Sequence, residues 1–200
     1  MKRILLCVLA IWLLTGCNKA VDDIVNKKIA NTAATAKAIA TSYTIKKGQH
    51  YCEQNYYQPI ETSELKFAVI FDSSAIYKST DPVNQYDINK LYGFSDNGMM
   101  HHQFSARFGW RWSDGALRIF AYIYNNGVVA SKEVGSLPIG QEAICSIKVT
   151  ANEYIFILND HIVNMPRQST TPKAQGYWLY PYFGGDETAP QDIMIRIKNL

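Results

Sequence analysis

The sequence predicts an all-β domain, a sandwich or barrel of short strands, over residues 45–200. Three observations carry that reading. Residues 101–124 (HHQFSARFGWRWSDGALRIFAYIY) form two β-branched and aromatic runs around Ser113-Asp114-Gly115, a strong hairpin signal. Further short apolar runs follow at a spacing of roughly 8–12 residues, punctuated by Gly, Pro, Asn and Asp. With 48% hydrophobic, 12% aromatic and 18% charged residues, the chain has enough apolar material for a sizeable core, which argues against disorder.

The elements are expected in the following order. Residues 44–52 and 56–60 read as short strands or extended pieces. Residues 64–77 (ELKFAVIFDSSAIY) contain a strand with Phe67, Val69 and Phe71 on one face. Residues 79–98 are polar, with Asp81-Pro82 and Asn97-Gly98 as turn signals. They read mainly as one long loop, with a short helix over 84–91 as the alternative. After the central hairpin, Asn125-Asn126-Gly127 makes a second tight turn into a strand over 128–134, followed by a loop over 135–140. Strands over 143–150 and 153–158 pair across Ala151-Asn152, and Asn159-Asp160 turns into a strand over 161–165. Residues 174–183 and 192–197 complete the set, separated by a Gly184-Gly185-Asp186-Glu187 loop. Asp72, Asp87 and Asp114 read as turn and capping residues.

Alternation of side chains along the hairpin sorts its faces. Phe108, Trp110 and Trp112 share one face of the first strand, and Leu117, Ile119, Ala121 and Ile123 one face of the second. The opposite face carries Arg107, Arg111, Arg118, Phe120, Tyr122 and Tyr124. On residues 174–183, Trp178, Tyr180 and Tyr182 fall on one face, with Tyr177, Leu179, Pro181 and Phe183 on the other. If Trp178, Tyr180 and Tyr182 join Arg107, Arg111, Arg118, Tyr122 and Tyr124, they form a concave aromatic floor with cationic donors. Aromatic rings stack on the apolar faces of sugars, and arginines grip carboxylates or sulfates with paired hydrogen bonds. The plainer reading makes these aromatics core and these arginines solvated.

Two further candidates stand beside that face. His101-His102, as neighbours in a strand, would face opposite ways, one packed and one exposed; the sharper reading sets one beside the arginines as a base or ligand contact. The 184–187 loop is a candidate calcium or ligand loop, but calcium wants six to eight oxygens. Asp96, Asn97 or backbone carbonyls would have to complete it, so no metal site is assigned. Cys52 and Cys145 leave a disulfide and two buried thiols both open.

The chain opens on Met1-Lys2-Arg3 and an apolar run over 4–14, too short for a membrane span of about 20 residues. It reads as a signal peptide. Leu14-Thr15-Gly16-Cys17 resembles the lipobox of bacterial lipoproteins. That resemblance implies cleavage after residue 16, a diacylated Cys17 at the mature N-terminus, and stable anchoring in the bacterial envelope, at the outer membrane. Cys7 leaves with the signal peptide. The formal charge of +3 would then fall by the two charges of Lys2 and Arg3 to +1 (3 minus 2). With no basic run longer than a Lys pair, nucleic-acid binding has little support. Residues 17–44, rich in Ala, Thr, Lys and Asn, read as a tether with a weak helical period.

The meander over 107–165 and the last strand, ending at Leu200, resemble the concanavalin A-like lectin and glucanase jelly rolls, laminin-G-type modules included. The stretches KLYGFSD, SARFGWRW and PYFGGDETAP also resemble surface lipoproteins of Bacteroidetes. The first resemblance implies a jelly-roll β-sandwich and a glycan or other extracellular polymer as ligand; fold alone does not fix function. Glucanases of this fold use an E-x-D-x-x-E strand, and no E-x-D occurs here. Alginate lyases of this fold use a Q-I-H or Q-V-H strand, and His102-Gln103 runs the other way. There is no G-x-S-x-G, H-E-x-x-H or P-loop. The absence of a complete catalytic motif points to binding without catalysis. The alternatives are a polysaccharide lyase-like enzyme using His101 or His102, Tyr122 or Tyr124, and Arg111, or a purely structural envelope lipoprotein.

Overall fold

A computed structural model of the chain describes residues 39–200. The expected signal peptide, Cys17 and nearly all of the tether lie outside the described residues. Strand β1 (Thr41–Ile45) begins inside the segment whose composition marked it as tether. Tyr43 and Ile45 are the reason, because both side chains are buried in the sandwich.

The remaining strands are β2 (Pro59–Thr62), β3 (Glu64–Phe71), β4 (Asn89–Ser95), β5 (Phe104–Ser113), β6 (Ala116–Asn125), β7 (Val128–Leu137), β8 (Glu142–Val149), β9 (Glu153–Leu158), β10 (His161–Pro166), β11 (Ala174–Leu179) and β12 (Ile193–Asn199). They pair antiparallel into two sheets of six. One runs β1-β12-β3-β8-β9-β10 and the other β2-β11-β4-β5-β6-β7. The fold class expected from the sequence is the one observed.

The core lies between the sheets. Phe67, Val69 and Phe71 from β3, with Ile195 and Ile197 from β12, face Phe108, Trp110, Ile119 and Ile123 from the hairpin. Edge-to-face ring pairs link the layers, Phe67 with Phe108 at 5.9 Å and Phe108 with Phe156 at 5.1 Å. Each such side chain contributes about 1.5–3 kcal/mol of burial free energy. The hairpin turns follow the sequence signals. Asp114 and Gly115 take φ of 53° and 73°, and Asn126 and Gly127 take 48° and 82°, the pair of positive angles that a right-twisted two-residue turn requires.

Strand β7 runs to Leu137, into the expected 135–140 loop, and a larger difference precedes the hairpin. Residues 79–98 are not a single loop: Asp81 caps a short 3-10 turn over Pro82–Tyr86, and β4 follows as a central strand. Its period is broken by a bulge between Lys90 and Tyr92, so alternation did not reveal it. Gly93 stands opposite Arg107, where an added Cβ would come within 2.5 Å of the Arg107 Cα.

A buried ion pair braces one end of β4. Arg167 Nε donates to Asp96 Oδ2 at 2.8 Å, and both side chains are fully buried. Asp96 also accepts from the Tyr154 hydroxyl (2.6 Å) and the Gln175 amide (3.0 Å). Burial alone would raise the Asp96 pKa; the bonds from Arg167, Tyr154 and the Asn97 and Gln175 amides outweigh it and hold the carboxyl below its ordinary value. Gly98 N–H donates to the Gln175 carbonyl at 2.7 Å. The turn after β4, which carries both histidines, is thereby fastened to the start of β11.

Candidate functional site

The outer face of the second sheet holds a cavity of about 450 Å³. Its floor comes from β4, β5, β6 and β11, and one wall from residues 51–57. Arg107 stands across from Tyr122 in the β5–β6 register, and Ser105 across from Tyr124. Tyr182 reaches the same floor because its N–H and C=O pair with those of Lys90, at 3.0 and 2.8 Å.

Of the residues singled out from sequence, Arg107, Tyr122, Tyr124, Trp178, Tyr180, Tyr182, His101 and His102 all border this cavity. Two of the arginines do not. Arg111 lies four residues further along β5, about 13 Å away at the usual strand rise. Its guanidinium donates to the Tyr86 carbonyl (2.7 Å) and the Ser113 hydroxyl (3.1 Å), and it covers the Phe120 ring at 4.8 Å. Arg118, opposite it, is held by Asp114 (3.3 Å) and Glu133 (3.0 Å). Both share the predicted face, but neighbouring groups occupy them.

The expected phase of residues 174–183 needs correction. Tyr177 and Leu179, assigned to the opposite face, sit on the cavity side, because Leu179 pairs with Gly93 and Trp178 with the core residue Phe94. Trp178 packs on Tyr92 at 5.2 Å, and Tyr180 on Tyr43 at 5.8 Å, so both touch the cavity from its core margin. Only Tyr182 regains the cavity face, past the irregularity at Pro181.

The histidines also differ from expectation. They lie in a turn, not in a strand, so both can face the cavity, with ring centroids 4.2 Å apart. The backbone N–H of His101 donates to the Tyr177 hydroxyl at 3.1 Å, and that hydroxyl lies 2.9 Å from Nδ1. The donor in that contact depends on the tautomer; with the imidazole proton on Nδ1 the phenol oxygen accepts it, and Nε2 keeps a free basic lone pair. Burial, then the charges of Arg107 and His102, push His101 down to about 4, so it is neutral at neutral pH. Burial raises the Tyr122 phenol, which stays a neutral donor.

Lys90 is the principal residue that sequence reasoning missed, because it lay in the supposed loop. Its ammonium donates to the Ile88 carbonyl at 2.7 Å and lies 4.9 Å from the centre of the Tyr122 ring. Burial and the nearby Arg107 push it down to about 8. Tyr51, Tyr56 and Tyr57 were missed as well. Each pairs with a ring on the floor or margin: Tyr51 with Tyr182 (4.9 Å), Tyr56 with Tyr180 (5.1 Å) and Tyr57 with Tyr177 (5.5 Å). The density of tyrosine over residues 51–57 was the available signal.

The 184–187 loop has a structural task. Glu187 accepts from the amides of Thr80 (2.9 Å) and Asp81 (2.7 Å) and from Asn84 (3.0 Å), tying down the segment before β4. Asp96, offered as a partner for a calcium ion, is committed to Arg167. Among the described residues, no group of three or more His, Cys, Asp or Glu side chains is arranged to hold a metal. Cys52 and Cys145 stand as separate buried thiols.

No protein-family model matches the chain, and no curated protein matches its sequence. Solved structures do match its fold. Alginate lyase vAL-1 from Chlorella virus is 12% identical with a TM-score of 0.51, over 80% of this chain and 82% of that one. Alginate lyase AlyC3 is 9% identical with a TM-score of 0.55, over 80% of this chain and 74% of that one. At such identities the likeness is one of fold: the domain is a jelly-roll β-sandwich of the concanavalin A-like type.

Proposed function

We propose that this chain binds a glycan in the Arg107 cavity without cleaving it. The observation that carries the reading is the lining itself. Eight tyrosines, at positions 51, 56, 57, 122, 124, 177, 180 and 182, line one site. Tyr51, Tyr56 and Tyr57 expose 60%, 59% and 76% of their surface along its wall, where sugar rings can stack. Their phenols supply hydroxyl donors and acceptors that suit sugar hydroxyls. Two proteins of the same fold are named as alginate lyases, so this sheet geometry is compatible with a polysaccharide.

The test is retention of the full chain, held in detergent, on immobilised polysaccharides. Tyr57→Ala and Tyr177→Ala should each weaken retention by up to about tenfold, the range for loss of one aromatic contact. If both variants bind as the parent does, the cavity is not the site.

One observation favours a second reading, a polysaccharide lyase. His101 is neutral, bonded to a tyrosine, and close enough to Arg107 to feel its charge. In a β-elimination, a neutral base removes the proton beside a uronate carboxylate, a phenol returns a proton to the leaving oxygen, and a cation offsets the carboxylate charge. Arg107 would take the part that sequence analysis gave to Arg111. Unsaturated-uronate absorbance that appears with the parent and is lost in His101→Gln would establish catalysis. Its absence on every retained polymer would leave binding alone.

We also propose that Cys17 is lipidated and holds the domain on the bacterial envelope, at the outer membrane. The support is the sequence pattern of residues 1–17. Labelled palmitate should enter the chain and be lost in Cys17→Ser.

A further inference from the structure

We infer that the glycan is anionic and that its carboxylate or sulfate is seated between Arg107 and Lys90; this rests on the cavity being a glycan site. Arg107 is only 6% exposed. Yet among the described residues its side chain makes no hydrogen bond or ion pair, and its Nε is buried without a partner. The Tyr122 ring lies alongside, 5.5 Å from the guanidinium carbon. Lys90 approaches the same ring and uses one of its three donors, on the Ile88 carbonyl. The cavity lining contains no Asp or Glu. Asp87, whose charge Lys90 senses, packs against Gly185 and lies beyond ion-pair distance of the ammonium.

Two buried or half-buried cations that repel each other, with no counterion in ion-pair contact among the described residues, form an arrangement a fold avoids unless something else supplies the negative charge. The backbone is shaped to keep both in place. Gly93 lies beneath Arg107, and a Cβ on Gly184 would stand 2.5 Å from the Lys90 ammonium nitrogen. A guanidinium presents paired donors that match a carboxylate or sulfate edge, and the ammonium adds a point charge beside it. No carboxylate in the lining repels the bound anion.

The experiment titrates the full chain, in detergent, with three polymers: a polyuronate, a sulfated galactan and a neutral β-glucan. One acidic polymer should bind at least about tenfold more tightly than the neutral one, and which of the two it is identifies the seated group as carboxylate or sulfate. Arg107→Met and Lys90→Met should each weaken that binding by about 10- to 100-fold and erase the preference. Thermal unfolding of both variants verifies that they fold; if Arg107→Met does not fold, Lys90→Met carries the test. Equal binding of the neutral polymer, unchanged in either variant, overturns the anionic assignment and leaves the glycan reading standing. Retention of none of the three by the parent chain overturns both.

Discussion

Arg107 and Arg167 are both nearly buried, 6% and 4% exposed, and the protein treats them in opposite ways. Arg167 is saturated. It donates to Asp96 through Nε and Nη2, to the carbonyls of Thr150 (3.0 Å) and Lys173 (3.1 Å), and to the hydroxyls of Ser169 and Thr171 (both 3.0 Å). Arg107 has an aromatic neighbour, a second cation and an open cavity. Each arginine lies near a tyrosine ring, Arg167 by Tyr154 at 5.8 Å and Arg107 by Tyr122 at 5.5 Å. Aromatic company therefore does not distinguish them; the carboxylate does. A buried cation with an internal partner locks strands together, whereas one without a partner keeps its charge available.

Breaking the saturated pair should give the largest effect. Asp96→Ala leaves Arg167 charged and buried, and should cost about 3–5 kcal/mol in urea unfolding. Removing both charges, Asp96→Ala with Arg167→Met, should recover much of that loss, since the penalty comes from an uncompensated charge and not from a missing attraction. If the double variant is as unstable as the single one, the many hydroxyl and carbonyl bonds matter more than the ion pair.

The next effect lies under the unpaired arginine. Gly93→Ala should cost about 1–3 kcal/mol, because its methyl group would overlap the Ala106 carbonyl and the Arg107 backbone on the neighbouring strand. Arg107→Met should behave unlike any change at Arg167. It removes a desolvated charge with no partner to orphan, so the free protein should keep its stability or gain about 1 kcal/mol. A loss of several kcal/mol in the same unfolding measurement would show that Arg107 braces the fold, and the contrast between the two arginines would collapse.

The contrast was half legible in the sequence. Period-two alternation identified the hairpin, both of its faces, and Arg107, Tyr122 and Tyr124 as neighbours, because the β5–β6 ladder runs without a break. It could not say which of three same-face arginines would stay free. Arg111 and Arg118 are occupied by Tyr86, Ser113, Asp114 and Glu133, partners set by tertiary packing and by the turn. Lys90 was hidden by a bulge, and the irregularity at Pro181, past the end of β11, puts Tyr182 out of step with Trp178 and Tyr180; each breaks the period on which the reading depended. The Asp96–Arg167 pair joins residues 71 apart and leaves no local trace.

The smallest predicted effect is one of pH, and it separates the two clusters by the window in which each acts. The Asp96 carboxyl is held below its ordinary value, so its contribution is complete above about pH 4 and is lost as acid protonates it. Lys90 gives a slope of the same sign in a separate, alkaline window, because there it is a cost that deprotonation removes. Its folded pKa is about 8 against 10.5 for a free lysine, so between those values the unfolded chain holds more protons than the folded one. Stability should therefore rise with pH across that window, as the cost of a charged Lys90 is relieved. The buried thiols Cys52, raised to about 11, and Cys145 oppose that rise as unfolded cysteines ionise near pH 9, and buried tyrosines such as Tyr92 at about 12 oppose it from near pH 10; both are common to the parent and a Lys90 variant. The measurement is urea unfolding at pH 7.5, 8.5 and 9.5 for the parent and Lys90→Met, and the stability of the parent relative to the variant should rise across the series. An acidic polymer bound beside Arg107 would raise the Lys90 pKa again, so saturating ligand should flatten the parent's curve towards that of the variant. A slope that ligand leaves untouched would place the bound charge away from Lys90.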